Sequence, residues 1–132
     1  MRIDHIMLPV ADIERSIAFY VETFDMKLAS RRDDGDRRFA HVGYGPRGAQ
    51  ATIELIQQAG GRCGAGDGHF CIHLSGLAAW VEGQQALGRT FAQPHGLRDG
   101  RIARAWLRDP DGHSIAVARR PAASVCTASP PQ

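Results

Sequence analysis

The chain has 132 residues, 43% of them apolar and 23% charged, with a formal net charge of +2. These values fit one soluble globular domain and give no electrostatic case for a nucleic-acid partner. Cys63, Cys71 and Cys126 are odd in number and scattered, so a reducing cytoplasmic setting is expected rather than a disulfide framework. No run approaches the roughly 20 apolar residues that cross a bilayer. "MRIDHIMLPV" is too broken for a secretory signal, so no membrane partner is expected.

"IDHIMLPV" alternates as a strand does, with Ile3, His5 and Met7 on one face and Ile6, Leu8 and Val10 on the other. Asp12 offers an N-cap to "IERSIAFYVETF", where Ile13, Ile17, Tyr20 and Phe24 form one helical stripe that packs on a sheet. "MKLASRR" and "RRFAHVGYG" read as strands around the turn "DDGD". After the turn "GYGPRGAQ", "ATIELIQQ" is a further strand with Thr52, Glu54 and Ile56 on one face. "AGGRCGAGDG" has no GK[ST] ending and reads as a connector, not a phosphate loop. Then come a strand "HFCIHLSGL", a helix "LAAWVEGQQALG" ending at Gly88, a strand "RIARAWLR", a turn "DPDG" and a strand "HSIAVARR". "PAASVCTASPPQ" is expected to be a disordered tail over 121–132.

The two passes superpose. A shift of about 64 residues lays His5 on His69, Leu8 on Ile72, Val10 on Leu74 and Ile13 on Leu77. With a shorter turn in the second copy, "ATIELI" lies on "HSIAVA" and Glu54 falls on Ala116. The expected class is α+β, two tandem βαβββ modules at about 1–60 and 66–120 within one domain, 1–120.

His5, Glu54 and His69 stand on strand faces among apolar neighbours, where His and Glu are seldom buried without a partner. Two readings are open from the residues alone. Each is a hydrogen-bonded interior or rim residue, or two imidazoles and a carboxylate hold a divalent first-row ion and leave positions open for a ligand.

"MRIDHIMLPVADIERSIAFYVETFDMKL", "FAHVGYGP", "ATIEL", "GHFCIHLS" and "DPDGHSI" together resemble the vicinal-oxygen-chelate superfamily. Within it they are most similar to the small bacterial glyoxalase I (lactoylglutathione lyase) group. The resemblance implies an open cup of eight strands and a homodimer with the site between subunits. It also implies a divalent ion (Ni, Zn, Co, Mn or Fe) bound by a His and a Glu from each module. His5, Glu54 and His69 match three ligands, and Ala116 stands where the fourth, a glutamate, is expected. The implied chemistry is metal-assisted enolisation or isomerisation of a small chelating oxygen substrate, with a carboxylate moving a proton between adjacent carbons. That makes Glu54 the candidate catalytic residue.

The chain departs from the group elsewhere. Pro9 replaces an arginine for glutathione, and Gln58 stands near an asparagine that contacts the tripeptide. Neighbours of Ala116 are poor stand-ins: Ser114 and Ala118 share its face, Asp109 and Asp111 belong to a turn, and alternation sends His113 to the other face. Arg31, Arg32, Arg37, Arg38, Arg98, Arg101 and Arg104 could meet an anionic ligand, though solvated faces are their expected role. His73 is expected as an interior histidine beside Cys71. It lies about 13 Å along the strand from His69, too far to share an ion with it. His41 and His95 have weaker claims, and Trp80 and Trp106 are expected to pack the helix and the sheet. Two alternatives stand beside the metalloenzyme: a metal-free ligand-sequestering protein of the bleomycin-resistance type, and an extradiol-type dioxygenase. The latter group takes its glutamate from the second module, where this chain has Ala116.

Overall fold

Alternation in the strands and the Asp12-capped stripe set the course of the backbone in the computed structural model, which describes residues 1–46, 48–61 and 63–120. Strand β1 (His5–Pro9) leads into helix α1 (Ile13–Phe24), then β2 (Lys27–Asp34), β3 (Arg37–Gly43) and β4 (Thr52–Gln58). The pattern repeats as β5 (His69–Leu74), α2 (Leu77–Ala86), β6 (Gly96–Arg98), β7 (Arg101–Arg108) and β8 (Ser114–Arg119). The Asp12 side chain accepts the Arg15 amide at 3.1 Å and caps α1 as expected. Helix α2 stops two residues before Gly88, which takes the left-handed conformation at φ 81°. The expected tail and Cys126 lie outside the described residues.

Each half builds a four-stranded sheet with the same order, β1-β4-β3-β2 and β5-β8-β7-β6. In each, the first strand pairs parallel to the last, and the last pairs antiparallel to the third. The expected α+β architecture of two βαβββ modules is therefore present. One face of each sheet is apolar and covered by its helix. Leu55, Ala40 and Val42 are fully buried near α1, as are Ile115, Val117 and Ala105 near α2. The other face of each sheet is open and carries most of the chemistry-bearing side chains. Strand β6 was not legible in the residue pattern. It is only three residues long and pairs with β7 through a register shift.

The "DPDG" turn does more than reverse the chain. Asp109 Oδ1 accepts the amides of Asp111 and His113 at 2.9 and 2.8 Å, which closes the turn. Its Oδ2 accepts the Tyr20 hydroxyl of α1 at 2.8 Å in a buried contact. Asp111 accepts the Ala11 amide at 3.0 Å and the Ser16 hydroxyl at 3.3 Å. His113 Nε2 lies 2.8 Å from the Pro9 carbonyl. The second module is thus fastened to the start of the first, while Trp80 of α2 stacks on Phe24 of α1 at 5.7 Å. Among the described residues no helix is long and apolar enough to cross a membrane.

Tyr20→Phe keeps the ring and leaves Asp109 Oδ2 without its buried donor, while Oδ1 keeps the two turn amides. It is expected to cost about 1.5–3 kcal/mol in urea unfolding, the range for hydrogen bonds to charged groups. Burial first, then the Asp109 charge, holds the Tyr20 phenol above its ordinary value, so the folded chain keeps a proton that the unfolded chain loses. Stability is therefore expected to fall as pH rises past about 10, more steeply in the wild type than in Tyr20→Phe.

Candidate functional site

Strand β4 runs between β1 and β3, and its register sets the first half of the site. Glu54 stands opposite Met7 of β1 and opposite His41 of β3, while His5 is opposite Thr52. All point to the open face, because Ile53 and Leu55 point to the core. The Glu54 carboxylate lies between two imidazoles: Oε2 is 3.0 Å from His41 Nε2, and Oε1 is 3.8 Å from His5 Nε2. The two rings meet edge to face at 5.3 Å. His41 is buried and its Nδ1 lies 2.8 Å from the Thr52 hydroxyl. His5 is exposed and its Nδ1 lies 2.8 Å from Asp4 Oδ2, which directs Nε2 toward Glu54. A cavity of about 300 Å³ opens beside the carboxylate, lined by Ser30, Arg32, Phe39, His41 and Glu54 among others.

The second sheet repeats the frame with different groups. His69 stands opposite Ser114, and Ala116 stands opposite both Cys71 and Trp106. By register Trp106 takes the place of His41, and Ala116 that of Glu54. The indole meets the exposed His69 ring edge-on at 4.9 Å, and Ala116 is fully buried. So Trp106 lies on the open face beside His69, whereas Trp80 is half-buried and packs against Phe24 of α1 at the edge of the core.

The structure brings His5 and Glu54 together and leaves His69 on the other sheet. Among the described residues no three His, Cys, Asp or Glu side chains gather to hold a metal ion within one chain. The donor chemistry nevertheless suits a cation in the first module. The Asp4 contact at His5 Nδ1 is the usual way a metal-binding imidazole is oriented, and Nε2 faces a carboxylate oxygen.

The sequence profile of the Glyoxalase/Bleomycin resistance protein/Dioxygenase superfamily matches residues 2–117. The chain belongs to that superfamily. A lactoylglutathione lyase of Salmonella typhimurium is 34% identical over 121 residues, which cover 87% of this chain and 90% of that protein. A probable chloroplastic lactoylglutathione lyase of Arabidopsis thaliana is also 34% identical, and there the chain spans only 36% of the relative's length. Among solved structures, a trypanothione-dependent glyoxalase I of Leishmania major superposes with a TM-score of 0.76 at 27% identity, covering 90% of this chain and 86% of that one. Glyoxalase I of Zea mays superposes at 0.78 and 29%, covering 92% of this chain and 45% of that one.

Within this superfamily frame, several expected placements change. His5 and His69 are exposed rather than buried among apolar neighbours, because the open face has no covering layer in a single chain. His73 and Cys71 are also exposed, so the interior histidine expected there is absent. His113 is spent on the Pro9 carbonyl, and Asp109 and Asp111 on the turn and α1. His41, given a weak claim by the sequence pattern, is a buried partner of Glu54. The usable signal is the succession of "RRFAHVGYG" and "ATIELIQQ" as neighbouring strands, whose antiparallel pairing sets His41 across from Glu54. His41→Ala would strand Glu54 and Thr52 without their partner and open a buried space. It is expected to lower stability by about 1–3 kcal/mol in chemical denaturation, with His41→Gln losing less.

Proposed function

We propose that the protein is a divergent glyoxalase I-like metalloprotein acting on a small substrate with chelating oxygens. A divalent ion would be held by His5 and Glu54 of one chain and His69 of a second copy. One observation carries this reading: Glu54 and His5 face one another on an open sheet face, with the far side of each already anchored, by His41 and by Asp4. The exposed apolar side chain of Met7, opposite Glu54 on that face, is what a second subunit would cover.

A divalent ion bound there would polarise a chelating carbonyl oxygen and so acidify the C–H of the adjacent, oxygen-bearing carbon. The chain's own residues supply the rest. His41 donates from Nε2 to Glu54 Oε2, with Nδ1 accepting the Thr52 hydroxyl, and so fixes the carboxylate. Oε1 stays on the side of His5, able to take a proton from a substrate carbon and return it to the adjacent one. Phe39, with the Arg32 guanidinium 4.3 Å from its ring centroid, walls the neighbouring cavity.

Ala116 is read as the position of a lost fourth ligand. Its methyl group neither binds a cation nor accepts a proton. Its register partner is Trp106 where Glu54 has His41, so the carboxylate and its hydrogen-bond donor are absent together. That pairing favours a second reading, a metal-free binding protein whose second sheet offers an indole to a ligand. Pro9 and Gln58 leave glutathione the least supported part of the substrate.

Metal analysis of purified protein separates the two readings. Under replete conditions about one divalent ion per chain is expected for the metalloprotein, with loss in His69→Ala; a folded, metal-free wild type selects the binding protein. If activity left with the side chain at 116, then Ala116→Glu combined with Trp106→His restores both carboxylate and donor. Lactoylglutathione formation from methylglyoxal and glutathione should then rise by about 10²-fold. An unchanged rate in a folded, metal-loaded double variant contradicts that account.

A further inference from the structure

The far end of the second sheet's open face carries a cationic concavity that the metal reading does not use. Along β5, β8 and β7 the register sets His73 and Arg104 on either side of Ala118. The short, buried Ala118 makes a floor, with His73 and Arg104 as walls. Arg98, Arg119 and Arg120 complete the rim of a hollow of about 910 Å³. Gly96 keeps one side open: a Cβ there would sit 3.4 Å from that of Arg104. Among the described residues no acidic side chain lines the space.

The corresponding place in the first sheet is built differently. There Ile56 is flanked by Pro9 and Phe39, so the repeat unit does not demand positive charge at this end. Several cations elsewhere are paired, although among the described residues Arg32, Arg38, Arg89, Arg101 and Arg108 form no ion pair either, so convergence on one cavity is what distinguishes the hollow. Arg2 meets Asp4, Arg15 meets Asp111, Arg31 meets Glu14, Arg37 meets Asp34 and Lys27 meets Asp25. Among the described residues Arg98, Arg104, Arg119 and Arg120 have no carboxylate within ion-pair distance, and Arg104 only leans toward the Trp106 ring at 5.8 Å. Like charges held around one hollow repel each other and focus a positive potential into it, which an anion relieves. Guanidinium groups also suit planar carboxylate and tetrahedral phosphate oxygens, which they meet with two parallel hydrogen bonds.

We propose that this hollow binds a small polyanion through Arg98, Arg104 and Arg120, with His73 on the opposite wall. The ligand class is a metabolite bearing two or more carboxylate or phosphate groups. The site lies at the opposite end of the strand from His69, about 13 Å away along β5, and its existence does not depend on whether a metal is bound. Contacts on an open rim remain hydrated, so affinity comes from several guanidinium groups together and weakens with added salt.

Calorimetric titration of the full chain, freed of metal and at low ionic strength, tests this with citrate and with pyrophosphate. Saturable binding of at least one anion is expected, weakened about tenfold or more in Arg104→Gln and in Arg98→Gln and unchanged in Lys27→Gln, which removes the same charge from the first module. Tighter citrate identifies a carboxylate ligand; tighter pyrophosphate identifies a phosphate ligand. Circular dichroism confirms the fold of each variant, and should Arg104→Gln unfold, Arg98→Gln and Arg120→Gln decide. No saturable binding of either anion at millimolar concentration overturns the proposal, as does equal weakening by Lys27→Gln. Because the protein is metal-free throughout, failure here leaves the metalloprotein reading standing, and failure of that reading leaves this one standing.

Discussion

The placement of β4 between β1 and β3 governs the open face of the first sheet. Leu55 is fully buried and Ile53 nearly so, and their removal from water fixes the strand's register. Glu54 must then point away from the core, opposite His41 on one side and Met7 on the other. A slip of one residue would drive the carboxylate under α1 and two aliphatic side chains into solvent, a change costing several kcal/mol. Ordinary hydrophobic burial therefore positions the polar site.

The same frame recurs around β8, where Ile115 and Val117 are buried as Ile53 and Leu55 are. Core-facing positions of the two modules stay interchangeable because both meet the same demand, an apolar layer beneath a helix. Open-face positions carry no such demand and have diverged. Glu54 and His41 in one module become Ala116 and Trp106 in the other, and Pro9, Ile56 and Phe39 become His73, Ala118 and Arg104. What fastens the modules is different again: the Asp109 and Asp111 carboxylates accept hydrogen bonds from Tyr20, Ser16 and the Ala11 amide, with no counterpart in the alternation of the strands.

Period-two alternation, recurring in both halves, makes the repeat and every strand but β6 legible. The Asp12 cap marks α1, whereas α2 begins at Gly76 without a side-chain cap and is marked by Gly88 beyond its end. His5 and Glu54 are joined in the sequence only through the family resemblance, and the parallel pairing of β1 with β4 supplies the physical reason that they meet. The role of His41 required knowing which strands lie side by side, and its separation in sequence from His5 conceals a ring contact of 5.3 Å. Strand β6 was invisible because three residues show no period. The arginine hollow was visible only as scattered basic residues. Arg98, Arg104 and Arg120 converge because β6 folds against β7, and β7 in turn pairs with β8.

The proposed metal centre requires His5 and Glu54 of one chain to meet His69 of another. Metal content of dimers formed by mixing His5→Ala and His69→Ala chains tests that requirement most directly. Each variant alone should lose its ion, and the mixed dimer should regain one intact site, built from the unaltered half of each partner. A folded mixed dimer that stays metal-free, or a His69→Ala protein that keeps its full complement, would contradict a site shared between chains.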